Sequence, residues 1–155
     1  MLLKNLIKNI PANIDNIEIS NLASDSRKVK KGCLFFALKG SKIDGKKFIA
    51  QAIKKGAKAI VCSGKIKLNQ KKIPIIKVKN ATESLGYACA KFFDKKPKNI
   101  IAVTGTNGKS SVADFFFQIL TNCRVPVASI GTLGIKKKTK TKKTSLTSLD
   151  IISLH

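Results

Sequence analysis

Histidine, arginine, paired cysteine and long apolar runs are all scarce or missing from this 155-residue chain. No run of about 18 apolar residues occurs, which excludes a transmembrane helix. The opening MLLKNLIKNI has Lys4 and Lys8 within its apolar positions rather than ahead of them, and no small-residue cleavage site follows. That excludes a secretory signal and leaves an amphipathic helix over residues 1–9, stopped by Pro11, in a protein expected in the cytoplasm. Cys33, Cys62, Cys89 and Cys123 stand far apart with no C-x-x-C pair. Each lies in or beside an apolar segment, so buried free thiols are expected rather than a metal cage. The single histidine, His155, is the last residue, and no internal repeat is present.

Acidic residues are few, 8 against 31 basic, for a net charge of +23. All the basic residues except Arg27 and Arg124 are lysines, and they are spread over nearly every solvent-facing position. Groove readers and phosphate forks rely on arginine, so salt-sensitive binding of nucleic acid is expected but no specific nucleic-acid partner. A hydrophobic content of 43% and a mean hydropathy of +0.00 describe a chain able to build a core.

Periodicity places strands at Ile17–Ala23, Cys33–Leu38, Ala59–Val61 and Ile73–Val78, alternating with helices at Lys46–Lys55 and Ala81–Phe93. Gly56 ends the first of these helices, and Asn80-Ala81-Thr82-Glu83 opens the second in capping-box fashion. The core face of this second helix is Leu85, Ala88, Cys89 and Phe92. Asp94-Lys95-Lys96-Pro97-Lys98 is the best boundary, dividing the chain into domains 1–96 and 97–155. Beyond it, Val125–Ile135 predicts a hairpin, the lysine/threonine run 136–143 a solvated loop, and Ile151, Ile152 and Leu154 a short helix.

The stretch Asn99–Ser111, NIIAVTGTNGKSS, is organised for chemistry. An apolar strand (Ile100, Ile101, Ala102, Val103) runs into Thr-Gly-Thr-Asn-Gly, and Lys109, Ser110 and Ser111 then open a helix bearing Val112, Phe115, Phe116, Ile119 and Leu120. Gly105 and Gly108 let the backbone turn and approach a ligand with no Cβ in the way. The loop presents N–H groups to an anion, and the helix adds about half a positive charge at its N-terminus. Lys109 would reach the β/γ-phosphates of a nucleotide as a point charge, and the Ser110 hydroxyl would ligate Mg²⁺. The G-x-x-x-x-G-K-[ST] spacing is shortened, because position 103 is Val103 rather than glycine. Asp114, on the same helix, has a solvated or capping role.

The loop TGTNGKSS, residues 104–111, resembles the ATP loop of the Mur ligases and their folylpolyglutamate synthetase relatives. Upstream, D-S-R-x-V-x-x-G-x-x-F-x-A-x-x-G-x-x-x-D-G is matched from Asp25 to Gly45, similar to the UDP-binding domain at the start of MurE- and MurF-type ligases. Thr106, Ile130-Gly131-Thr132-Leu133-Gly134, and Thr147-Ser148-Leu149-Asp150 where the family has T-T-P-D favour the MurE type, with Leu149 in place of the usual proline. The resemblance implies an α/β fold: a small UDP-binding domain, then the beginning of a P-loop parallel-sheet ATPase domain. It implies ATP held by Gly105, Thr106, Asn107, Gly108, Lys109, Ser110 and Ser111, with Mg²⁺ on Ser110. Ser24, Ser26, Ser41, Lys42, Ile43, Thr147 and Ser148 would contact the UDP-linked substrate. The implied reaction adds the third amino acid, meso-diaminopimelate or L-lysine, to UDP-N-acetylmuramoyl-L-alanyl-D-glutamate during peptidoglycan synthesis, in a monomer with no membrane partner. The family's metal-binding glutamate, carbamylated lysine and C-terminal domain have no counterpart in these residues, so the chain alone is expected to be inactive. MurF-like and folylpolyglutamate synthetase-like ligases, and a basic nucleic-acid-binding module, are the alternatives.

Overall fold

The computed structural model describes residues 1–40, 43–64, 73–142 and 150–154. These fall into two compact units, Met1–Lys96 joined by the closing helix Ile151–Leu154, and Pro97–Asp150.

In the first unit, β1 (Asn21–Ala23), β2 (Cys33–Ala37), β3 (Ala57–Ser63) and β4 (Ile75–Val78) form one parallel sheet in sequential order. Parallel strands need crossovers, and here α1 (Ile49–Lys54) links β2 to β3, while α2 (Ala81–Phe92) follows β4. All five residues of β2 are buried, as expected for a strand covered on both faces. Leu34 and Phe36 join Ala59, Val61, Leu3, Leu6, Ile19 and the α2 residues Leu85, Ala88 and Cys89 in one layer. Cys33, Phe35 and Ala37 point the other way, onto Ile60, Cys62 and the α1 residues Ile49 and Ala52. A register shift accompanies this division: Cys33 pairs with Ala57 and Leu34 with Ala59, leaving exposed Lys58 bulged out. The bulge puts Ala57 and Ala59, two residues apart, in opposite layers.

Asn80 caps α2, its side-chain oxygen accepting from the N–H groups of Thr82 and Glu83 at 3.0 and 3.1 Å. Gly56 closes α1 at φ +93°, donating to the Ile53 carbonyl at 2.9 Å. Ile151 and Ile152 of the closing helix pack against the layer that contains Leu85.

The expected helix over residues 1–9 is not formed. The Met1 ammonium and the Leu3 N–H instead donate to the carbonyls of Ile19 and Ile17, both at 2.8 Å, and only a single 3-10 turn remains at Leu3–Asn5. Nine residues make a marginal helix by themselves, whereas this edge pairing buries Leu3, Leu6 and Ile7 just as well. The strand expected from Ile17 is likewise shorter, with the ladder starting at Asn21.

The second unit contains α3 (Lys109–Asn122) and an antiparallel sheet of β5 (Ala128–Gly131), β6 (Gly134–Lys137) and β7 (Lys140–Lys142). The hairpin between β5 and β6 is as the sequence predicts, but β7 forms within the run taken for a loop. Its alternating Lys-Thr-Lys can pair with β6 while remaining polar. The apolar segment 100–103 joins no ladder. Such a strand requires neighbours on its edges, and the strands described in this unit pair with one another, leaving Ile100 81% and Ile101 63% exposed. No described residue of α3 is buried. Arg124 ends α3 in the left-handed region at φ +61°, with its N–H on Thr121 and that of Val125 on Leu120. Cys33, Cys62 and Cys89 are buried and outside any disulfide, as expected, but Cys123, at the end of the uncovered α3, is exposed.

Candidate nucleotide and substrate site

Gly108 begins α3 at φ +75°, and Gly105 upstream takes φ +143°. A Cβ on Gly108 would meet nothing within 4 Å, so backbone conformation rather than crowding demands glycine there. No side chain caps α3, and its first N–H groups are left free to meet an anion. The Lys109 ammonium folds over the loop, donating to the carbonyls of Gly105 and Thr106, the latter at 2.8 Å. Thr106, Asn107, Ser110 and Ser111 are all exposed around this turn. The structure therefore brings together every residue expected to hold ATP.

The hairpin packs against the start of α3. Ser110 Oγ lies 2.9 Å from Thr132 Oγ1, and Lys136 forms an ion pair with Asp114 one helical turn further on. Gln118 also donates to Asp114, at 2.8 Å. Lys136 first, then Gln118, holds the Asp114 carboxyl below its ordinary pKa. A shallow cleft lined by Ser110, Asp114, Thr132 and Lys136 lies between helix and hairpin. Asp114 thus ties two elements together, where the sequence suggested a solvated or capping residue. Among the described residues, no group of three or more His, Cys, Asp or Glu could hold a metal by itself.

In the first unit, two loops leave adjacent parallel strands on the same side. Ser24 and Ser26 follow the carboxyl end of β1, and residues 38–45 follow that of β2. The crevice outside the carboxyl ends is where open α/β sheets bind ligands. Ser24 is half-buried, whereas Ser26 is 5% exposed and donates its hydroxyl to Gln51 Oε1 at 2.7 Å, so it braces α1 more than it faces solvent. Ile43 is 55% exposed at the tip of a loop closed by the Gly40 N–H on its carbonyl. Asp25 grips the Arg27 guanidinium through both carboxylate oxygens, and this bond holds its pKa low. Ser41, Lys42, Thr147 and Ser148 lie outside the described residues.

Residues 18–93 match the Mur ligase family, catalytic domain. The chain is 41% identical over 145 residues to a UDP-N-acetylmuramoyl-L-alanyl-D-glutamate–2,6-diaminopimelate ligase of Brucella melitensis, spanning 94% of this chain and 30% of that one. With the enzyme of the same name from Bradyrhizobium diazoefficiens, identity is 45% over 158 residues, spanning 100% and 32%. The chain belongs to the Mur ligase family. A solved structure of a ligase with that name superposes with a TM-score of 0.77 at 24% identity, covering 99% of this chain and 32% of that one. A MurF ligase from Thermotoga maritima in complex with ADP gives 0.54 at 26% identity, covering 69% and 24%. The chain thus spans about a third of the length of its relatives. Two residues beside these Mur ligase loops escaped the sequence reading. Thr132 belongs to a motif noted only for its likeness, and Lys46, directly after Gly45, approaches the end of β3 near Gly64. Only their three-dimensional neighbours reveal them.

Proposed function

We propose that this chain supplies the nucleotide loop and the UDP-substrate domain of a cytoplasmic ATP-dependent ligase of peptidoglycan synthesis. The reaction joins a third amino acid to UDP-N-acetylmuramoyl-L-alanyl-D-glutamate, and the names of the relatives favour meso-diaminopimelate over L-lysine. ATP would transfer its γ-phosphoryl group to the acceptor carboxylate, releasing ADP, and the incoming amine would then displace inorganic phosphate from the acyl phosphate to form the amide. The observation that supports this most is the uncapped start of α3, with Gly108 at φ +75° and Lys109 folded over the loop carbonyls. Lys109 supplies a cation to the terminal phosphates, the N–H groups of α3 bind their oxygens, and Ser110 would help hold Mg²⁺, whose charge offsets that developing on the transferred phosphoryl. The loops after β1 and β2 would bind the UDP end, with Ser24 and Ile43 facing it.

Hydrogen exchange tests the substrate assignment. UDP-N-acetylmuramoyl-L-alanyl-D-glutamate should protect residues 24–45 from exchange. A folylpolyglutamate synthetase-like ligase would show no such protection, and that outcome would reject the proposal.

A further inference from the structure

We infer that Thr132 is a positioning residue for the magnesium-bearing hydroxyl of Ser110, an inference that rests on the nucleotide site proposed above. Ser110 is the second residue of α3, and its hydroxyl lies 2.9 Å from that of Thr132 in the turn between β5 and β6. A neutral serine hydroxyl that offers a lone pair to a cation must direct its proton elsewhere. Thr132 Oγ1 is placed to accept that proton, which turns the Ser110 lone pairs away from the hairpin and toward the phosphate side of the loop. No proton leaves Ser110; the hydrogen bond only sets its orientation. The hairpin is held at that spot by a second, independent clamp, the Lys136–Asp114 ion pair, with the Asp114 carboxylate also accepting from Gln118. The hairpin therefore divides two tasks between two residues: Lys136 of β6 docks it, and Thr132 of the turn orients the Ser110 hydroxyl.

The test is binding of the fluorescent analogue mant-ATP to the 155-residue chain, at increasing Mg²⁺, for the wild type and for Thr132→Val, Thr132→Ala, Thr132→Ser and Lys136→Met. Outer-shell partners of metal ligands typically contribute about 10–100-fold to metal affinity, and an exposed pair belongs at the lower end. Thr132→Val and Thr132→Ala should raise the half-saturating Mg²⁺ by about tenfold while leaving metal-free mant-ATP affinity within about twofold. Thr132→Ser, which keeps the hydroxyl, should restore the wild-type value. Lys136→Met, which loosens the docking but keeps the hydroxyl, should raise it by less than Thr132→Val does. Wild-type Mg²⁺ dependence in either hydroxyl-deletion variant overturns the inference, as does an equal shift in Lys136→Met, which would assign the effect to docking alone. If the wild type binds no mant-ATP at all, the nucleotide site itself is refuted and this inference with it. Metal-free binding separates that failure from the others, and it also identifies a variant that has not folded.

Discussion

Replacing Gly45 with alanine should destabilise the first unit severely, although Gly45 does not adopt a positive φ. A Cβ built there lies 2.5 Å from the Leu38 carbonyl oxygen and 2.8 Å from the Leu38 nitrogen. Both obstacles are backbone, so no side-chain rotation relieves them, and the gap must open to at least 3.4 Å for ordinary contact. Opening it breaks the bond from the Gly45 N–H to the Leu38 carbonyl, now 2.8 Å. The lost hydrogen bond costs about 1 kcal/mol and the forced shift about 1–3 kcal/mol, together roughly 2–4 kcal/mol. For a unit of this size, that lowers the melting temperature by roughly 10–25 °C. The control is Gly86→Ala in the middle of α2, where an added Cβ meets nothing within 4 Å. There the helix gains about 0.5–1 kcal/mol and melts a few degrees higher. Thermal melts followed by circular dichroism read both variants. A Gly45→Ala chain melting within about two degrees of the wild type would refute the close-approach argument.

Other outcomes follow from burial and charge. Iodoacetamide at mildly alkaline pH should label Cys123 rapidly in the native chain and spare Cys33, Cys62 and Cys89, since burial pushes the Cys33 thiol up to about 11; mass spectrometry of the alkylated peptides reads the result. Limited chymotrypsin digestion should cut at exposed Phe115 and Phe116 while buried Phe35 and Phe36 survive, and equal protection of the two pairs would contradict the weak packing of α3. The Asp114–Lys136 clamp should persist on acidification past the ordinary aspartate pKa of 3.8, because a carboxylate with a lowered pKa stabilises above its unfolded value and loses that contribution only as pH falls through the folded one. NMR titration of the Asp114 carboxyl checks this, and a midpoint at or above 3.8 would count against the clamp.

The parts of the fold that were legible in the sequence are those where local pattern and tertiary demand agree. The unbroken apolar run Cys33–Ala37 could only be a strand covered on both sides, and Asn80 before Ala81 could only start a helix. The alternation of short strands with helices marked the first unit as α/β, and the structure arranges its four strands in one parallel sheet. Residues 1–9 misled because their helical spacing is also satisfied by an edge pairing, and only the partner Ile17–Ile19 decides between the two. Lys140–Lys142 has no apolar face to announce a strand, and its ladder is borrowed from β6. Ile100–Val103 has the composition of an inner strand, but composition says nothing about whether neighbouring strands are there to pair. In the loop before α3, the backbone roles of Gly105 and Gly108 were readable because glycine alone takes such positive φ values at no steric cost. Thr132 was not, since 22 positions of sequence separate it from the hydroxyl it meets.

Calorimetric titration of ATP with Mg²⁺ into the wild-type chain and into Lys109→Ala tests the central claim most directly. Hydrogen bonds to charged groups contribute about 1.5–3 kcal/mol, so removing the ammonium should weaken ATP binding by roughly 10–100-fold. Equal affinity in the two proteins would contradict the claim that the loop before α3 grips the nucleotide.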